Sequence, residues 1–374
     1  MTEELIREVD LHLTNRCNLT CAHCSVDSGR TRWGEMGFQD WAAVVDDAAS
    51  LGCRFADLTG GEPILHPDVE RLISYITDRG LHLELQSNGL LLTPERLRGV
   101  WAAGLRTLVV SLDGGRERHD RVRGHAGCFD AAVSAIRRAA DTGFKVRVTR
   151  VMVTDEDCED IEEFARELET LGVAHLSINH FSPVTKTHFV NLPARAPEKW
   201  AAFTDALERL SGSLSFPVSY EVGYVRPSEA DSFFDEETRC LIERRRWFLI
   251  RSDGQVYPCY HFVHRPEMSL GDVRERPLSE LVRDERGWSA YGGLAEASAG
   301  CDGCGFSASC RGGCPSPGYL QLGKLSVRDT RCQVERGFVP VCPFIKRTAG
   351  TRHMTNISPY YYAGVDDART TPRA

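Results

Sequence analysis

Residues 7–24 read REVDLHLTNRCNLTCAHC, a strand-like run that passes straight into three cysteines spaced C-x3-C-x2-C. Five further apolar, β-branched runs follow at 54–61 (RFADLTGG), 81–89 (LHLELQSNG), 106–114 (RTLVVSLDG), 145–153 (KVRVTRVMV) and 174–181 (AHLSINHF). Between them lie segments of helical spacing such as QDWAAVVDDAASLG, PDVERLISYITDRG and FDAAVSAIRRAADTG. Several end in Gly, which suits the left-handed position after a helix. Six strands, each followed by a helix, set the βα rhythm of a parallel sheet. So many units fit a barrel or partial barrel better than a short open sheet, while periodicity leaves closure open. Ligands of either architecture gather at the carboxyl ends of the strands, and Cys17, Cys21 and Cys24 stand at such an end.

The 374 residues predict two or three domains. With 26% charged and 42% apolar residues the chain is no disordered polymer, and a net charge of −8 argues against nucleic-acid binding through a broad basic face. No apolar run is long enough to span a membrane, and the charged start MTEELIREVD lacks the apolar core of a secretory signal. A cytoplasmic location is expected, where fourteen cysteines point to metal or redox chemistry rather than disulfides.

A loop as tight as 17–24 can aim three thiolates at one inorganic centre. Structural zinc wants four ligands, and His23, wedged between two of the cysteines, would have to fold back to serve. A [4Fe–4S] cluster on three thiolates keeps one iron open to an outside ligand. Most other cysteines lie beyond residue 240: Cys240, then Gly254 and Cys259, then Cys301, Cys304, Cys310 and Cys314 in C-x2-C-x5-C-x3-C spacing, then Cys332. Asp253–Cys259 reads as a hairpin and Leu270–Val273 as the next short strand. Large apolar residues are sparse there, so something other than a hydrophobic core is expected to hold this part.

The chain resembles the radical S-adenosylmethionine (SAM) superfamily through Cys17, Cys21 and Cys24 in that spacing, with His23 before the third, and through Thr59-Gly60-Gly61-Glu62-Pro63 after the second strand. Its seven later cysteines resemble the SPASM extension, which carries auxiliary iron–sulfur clusters. The resemblance implies an α/β fold, a partial (β/α)6 TIM-like barrel followed by a small cysteine-rich SPASM domain. The expected boundaries are 1–195 for the barrel, 196–239 for a bridging segment with a helix at PEKWAAFTDALERLSGSL, 240–345 for the SPASM domain and 346–374 for a tail carrying SPYYYAG.

It further implies a SAM-binding [4Fe–4S] cluster on Cys17, Cys21 and Cys24. Gly60, Gly61 and Glu62 would meet the amino group of SAM, and Ser111 and Asp113 would hold its ribose and methionine portions. Ser87, Arg150 and His23 are further candidate contacts. By the same resemblance Cys301, Cys304, Cys310 and Cys332 would hold one auxiliary cluster, and Cys240, Cys259 and Cys314 three corners of another. Both are expected to be [4Fe–4S]. The second then has an open iron, a noncysteine ligand, or Cys342; alternatively Cys342 returns a hydrogen atom to a product radical. Tyr260 stands where sulfatase-maturing relatives place an aspartate base, which disfavours that function. His119, Asp120 and Arg123 read as a solvated loop, and Cys53 as buried packing.

The implied enzyme is a radical SAM oxidoreductase that cleaves SAM to a 5′-deoxyadenosyl radical and oxidatively modifies a C–H bond, its substrate a ribosomally made peptide in natural-product maturation. One alternative is a dehydrogenase of a small carbohydrate or aminocyclitol; another is a nonenzymatic zinc-binding interaction module. The expected partners are the substrate, an external one-electron reductant of flavodoxin or ferredoxin type and a separate leader-binding protein, since only sixteen residues precede Cys17.

Overall fold

The structure is a computed structural model that describes residues 5–153, 158–181, 196–234, 238–295, 298–351 and 354–355. The SPYYYAG stretch lies outside the described residues. The six expected strands form as β1 (Glu8–Thr14), β2 (Phe55–Gly60), β3 (His82–Ser87), β4 (Thr107–Ser111), β5 (Lys145–Met152) and β6 (His175–His180). The crossovers carry α1 (Phe38–Ser50), α2 (Val69–Asp78), α3 (Pro94–Ala102), α4 (Arg116–Arg123), α5 (Cys128–Thr142) and α6 (Ile161–Glu169), and α7 (Pro197–Ser211) follows β6. Helix α1 shows why these segments are helical. Trp41, Val44, Val45 and Ala48 form one buried stripe at helical spacing, and the Gly37 N–H at its start is met by Asp40 at 3.1 Å.

Two strands extend the parallel array beyond six. β7 (Val218–Glu221) pairs with β6, and β9 (Trp247–Ile250) pairs with β1, giving eight parallel strands. The short β8 (Tyr224–Val225) pairs instead with β11 (Val339–Pro340). β10 (Val256–Tyr257) returns antiparallel to β9 as the expected hairpin, turning at Gly254 with φ +87°. β12 (Lys346–Thr348) and β13 (Met354–Thr355) finish the other edge, and the eleven-stranded sheet stays open. The segment after Cys240 therefore supplies strands to both margins of the barrel. Leu270–Val273 is not a strand; only Asp272 makes a single bridge, to Gln255.

The expectation of a core-poor second part also needs correction. Phe248, Leu249, Ile250, Phe262, Val263, Met268, Leu278, Leu281 and Trp288 are buried in the same apolar core as the barrel. Sparse packing is confined to the stretch around Cys301–Cys332, where Leu325 is the one core member.

Alternation along the barrel strands decides what lies inside. On β1, Val9, Leu11 and Leu13 join the apolar core, while Glu8, Asp10, His12 and Thr14 are buried polar residues between them. Asp57 and Thr59 on β2, Glu84 and Gln86 on β3, Arg147 and Thr149 on β5 and Ser177 and Asn179 on β6 line one cavity. Barrels packed with Val, Ile and Leu have no such room; this one keeps a cavity of about 370 Å³.

Candidate functional site

The loop after β1 is held from several sides. Arg16 makes a two-pronged pair with Glu35 at 2.7 and 3.0 Å and reaches the Leu65 carbonyl at 3.0 Å. The Asn15 side-chain amide donates to the Thr31 carbonyl at 2.7 Å. The Gly60-Gly61 turn docks on this loop by backbone bonds, Gly61 N–H to Thr14 O at 2.7 Å and Glu62 N–H to Arg16 O at 2.9 Å. Both glycines are demanded by that docking: a Cβ at Gly60 would lie 2.5 Å from Thr14 O, and one at Gly61 2.2 Å from Arg16 O. The close approach they permit is to the chain's own cysteine loop.

Each of the three sulfurs accepts an N–H. Cys17 takes the Leu19 amide at 3.5 Å and the Asn88 amide at 3.9 Å, Cys21 takes Arg123 at 3.8 Å, and Cys24 takes the Ser28 amide at 3.3 Å. Such donors stabilise thiolates and tune the potential of a cluster they hold. Burial pushes the Cys17 thiol up to about 12, with Glu62, Cys21 and Cys24 adding to the rise. A thiol so placed stays protonated until a metal takes the proton's place.

Two later groups form in the same way. Cys342 lies close enough to Cys314, Cys240 and Cys259 that all three add to the rise that burial imposes on it; Cys314 and Cys240 act likewise on Cys259. Cys304 and Cys332 add to the burial effect on Cys301, and Cys332 and Cys301 to that on Cys310. Yet among the described residues the one set of three His, Cys, Asp or Glu donors within 4.8 Å of one another is Glu8, Asp10 and Asp57. No three sulfurs are that close. Thiolates on one zinc at about 2.3 Å stand less than about 4 Å apart, whereas thiolates on separate irons of a cluster stand farther. All three groups fit iron–sulfur clusters better than zinc.

The cavity runs from this loop into the barrel. Cys17, Cys21, His23, Cys24, Gly60, Gly61, Ser87 and Ser111 line its upper part, and Tyr260, Phe344 and Lys346 from the second part wall it. His23 is buried and held neutral, its pKa lowered to about 4 by burial. Three expected contacts are placed differently. Glu62 is fully buried and accepts from Ser87 Oγ at 3.0 Å, Asn88 N–H at 2.8 Å and Ile64 N–H at 3.4 Å, so its carboxylate, raised to about 7 by burial, braces the strand ends. Asp113 accepts from Arg123 at 2.7 Å and the Val151 amide at 3.1 Å, with His23 and His119 close by; although burial opposes ionisation, these partners hold it well below the usual carboxylate range. Arg150 lies on the other face of β5, paired with Asp160 and stacked on Phe164, away from the cavity.

The solvated-loop expectation fails for His119 and Arg123, which are buried in the Asp113 network, and Arg123 reaches Cys21. Cys53 is buried, as expected for packing, with its thiol against the Phe55 carbonyl at 3.3 Å. Cys342 is not in the barrel cavity; it lines a separate one with Cys240, Cys310 and Cys314. Asn88 and the carboxylates Glu8, Asp10, Asp57 and Glu84 are functional residues that the sequence reading did not single out. Acidic residues at every second position of EVDL, inside a strand, were the available signal.

The superfamily model for radical SAM proteins matches residues 11–168, and that for the SPASM iron–sulfur cluster-binding domain matches 240–305. Fe-coproporphyrin III synthase of Methanosarcina barkeri is 31% identical over 298 residues, 73% of this chain and 72% of the relative. PqqA peptide cyclase of Ruegeria pomeroyi is 29% identical over 332 residues, 86% of this chain and 85% of the relative. Streptococcus suis SuiB, solved with its precursor peptide SuiA, superposes with a TM-score of 0.70 at 18% identity over 88% of this chain and 76% of its own. The chain belongs to the radical SAM superfamily, in its SPASM branch. It is a radical SAM enzyme that binds a [4Fe–4S] cluster with SAM and carries auxiliary iron–sulfur clusters, which overturns the zinc-module alternative. Among the described residues no helix is long and apolar enough to cross a membrane.

Proposed function

We propose that this enzyme oxidatively modifies a C–H bond in a ribosomally made peptide. The carrying observation is the cavity itself, about 370 Å³, opening beside the three-cysteine loop and walled by both parts of the chain. Its upper part is taken by the cluster and SAM, and the remainder suits a side chain. It suits a porphyrin poorly, because in that lining the carboxyl groups of Glu8, Asp10, Asp57, Glu84 and Glu221 outnumber Arg147 and Lys346, the cations that would receive its propionates. The peptide-acting relatives, PqqA peptide cyclase and SuiB, support this choice.

Held by Cys17, Cys21 and Cys24, the cluster with SAM would supply, on taking one electron from the external reductant, a radical able to abstract a hydrogen atom, and the auxiliary clusters would take up the electron left on the product. The chain's task is to bind, orient and exclude water. Asn88, Arg123 and the Leu19 and Ser28 amides hold the thiolates, and the Gly60-Gly61 turn fixes the loop against β2. Gly60, Gly61, Ser87, Ser111 and His23 are the SAM contacts in this reading. Glu62 and Asp113 act as positioning residues, bracing Ser87 and Asn88 in one case and Arg123 and His23 in the other.

Cys301, Cys304, Cys310 and Cys332 hold one auxiliary cluster and Cys240, Cys259 and Cys314 another. Cys342, grouped with those three and lining a different cavity from the barrel's, is its fourth ligand rather than a hydrogen donor. The segments in this reading are 1–195, 196–239, 240–345 and 346–374, the later ones completing the sheet with β7, β9, β10, β12 and β13; the enzyme works in the cytoplasm, and a flavodoxin- or ferredoxin-type protein delivers electrons. A separate protein presents the peptide leader.

The test is an anaerobic reaction with deuterated candidate substrates, chosen from short precursor peptides encoded beside the gene. Deuterium in 5′-deoxyadenosine from a peptide supports the proposal. Deuterium only from an aminocyclitol or sugar overturns it in favour of a small-molecule dehydrogenase.

A further inference from the structure

Below the cysteine loop the barrel interior holds more carboxyl groups than cations among the described residues. Five buried carboxylates face it: Glu8 and Asp10 on β1, Asp57 on β2, Glu84 on β3 and Glu221 on β7. Among the described residues the facing cations are Arg147 on β5 and Lys346 on β12, and His175 on β6 is held neutral by burial. Arg147 pairs with Glu84 at 2.5 Å. Lys346 donates to Ser177 Oγ at 3.1 Å, and its charge acts on Glu221 and also on Glu8 and Asp10. Glu8, Asp10 and Asp57 make no ion pair among the described residues, and their oxygens lie within 4.8 Å of one another.

Their hydrogen bonding is incomplete as well. Asp10 accepts from the Trp247 indole at 3.2 Å, but Glu8 Oε2, Asp57 Oδ1 and the neighbouring Glu84 Oε1 are buried without a partner. Orphaned buried acceptors are rare, since each has given up its hydration for nothing in return. The three stand on the wall of one cavity, which leaves them open to a donor brought in by a ligand. Burial and mutual repulsion together raise the triad's pKa values, Asp10 to about 7 and Glu8 and Asp57 well above their ordinary range.

The geometry points to a cation-binding floor, in which Glu8, Asp10 and Asp57 seat a protonated amine or guanidinium carried by the substrate. At about 3.3 Å per strand residue, Asp10 lies on the order of 13 Å below Thr14 at the strand end. Anchoring a cation at that depth sets how far the substrate enters and which of its C–H bonds stands at the mouth. The inference deepens the proposed reaction and rests on it for the substrate's role, not for the floor's chemistry. A basic residue of a peptide and the amine of an aminocyclitol present the same group, so the probes must separate them.

The test is anaerobic calorimetry on the cluster-loaded, SAM-bound protein with Nα-acetyl-lysine methylamide and 2-deoxystreptamine as probes, and the norleucine analogue and myo-inositol as uncharged controls. Wild-type protein is expected to bind one of the cations with proton release, more tightly as pH rises from 6 to 8 and the carboxylates ionise. Glu8→Gln and Asp57→Asn should each weaken that binding at least tenfold. The same variants should melt higher without ligand, by on the order of 2–5 °C, because repulsion between buried acids is relieved.

Preference for the lysine derivative assigns the cation to a peptide, and preference for 2-deoxystreptamine assigns it to an aminocyclitol. The inference is overturned if neither cation binds wild-type protein, if a neutral control binds as well, if the variants bind equally, or if Mg2+ or Ca2+ occupies the triad instead. A variant that fails to fold also counts against it, because it makes the triad structural. Dithionite-driven SAM cleavage by the wild-type protein reports on the radical chemistry alone, so its failure and the failure of cation binding are distinguishable.

Discussion

Gly61→Ala tests whether the turn after β2 holds the cysteine loop in place. The added methyl would lie 2.2 Å from the Arg16 carbonyl oxygen, a backbone atom, whereas ordinary contact begins at 3.4 Å. The loop must therefore retreat by about 1.2 Å, the difference between those values. That movement stretches the Gly61-to-Thr14 and Glu62-to-Arg16 bonds, now 2.7 and 2.9 Å, toward 4 Å and breaks both. Two lost bonds at about 1 kcal/mol each and overpacking of about 1–3 kcal/mol give a local cost of about 3–5 kcal/mol. The cost falls on the segment that carries Cys17, so the expected result is loss of the first cluster with retention of the auxiliary iron. Iron and sulfide counting, with low-temperature electron paramagnetic resonance of the reduced protein, would read this directly. A Gly61→Ala protein with full iron content and wild-type SAM cleavage under dithionite would refute the reasoning.

Replacing Cys17, Cys21 and Cys24 together by Ala should abolish 5′-deoxyadenosine formation while auxiliary iron remains; continued cleavage, read by chromatography, would overturn the assignment. Cys342→Ala should leave SAM cleavage by the first cluster in place but change the resonance signal of the auxiliary cluster near Cys240, Cys259 and Cys314; an unchanged signal would remove Cys342 from its ligands. Burial raises Asp10 to about 7, so the folded protein keeps a proton that the unfolded chain releases near pH 4. Stability then falls as pH rises from about 4 to about 7, by up to about 1.4 kcal/mol per unit, and Asp10→Asn should flatten that slope in denaturant titrations of metal-free protein.

Six barrel strands were legible because each is an apolar run bounded by turns and followed by a helical stripe. β7 and β9 were not. Each has four residues, and β9 lies in a cysteine-rich stretch where its pairing with β1 is a contact across more than two hundred residues. The cysteines were legible for a different reason, since ligand spacing is written in the chain itself. Partner choice among side chains is not. Glu62 and Asp113 looked like ligand contacts, but in the fold their carboxylates are taken by Ser87, Asn88 and Arg123, which come from other strands and helices.

From sequence alone came the βα order and the cysteine loop at the end of β1, because these depend on local periodicity and spacing, while the two sets of later cysteines came from the resemblance to the SPASM extension. Only the tertiary structure decided that Cys342 joins Cys240, Cys259 and Cys314, that Arg150 faces away from the cavity, and that Glu8, Asp10 and Asp57 converge. Those outcomes turn on which face of a strand a residue occupies and which distant segment folds over it, and burial then fixes its charge.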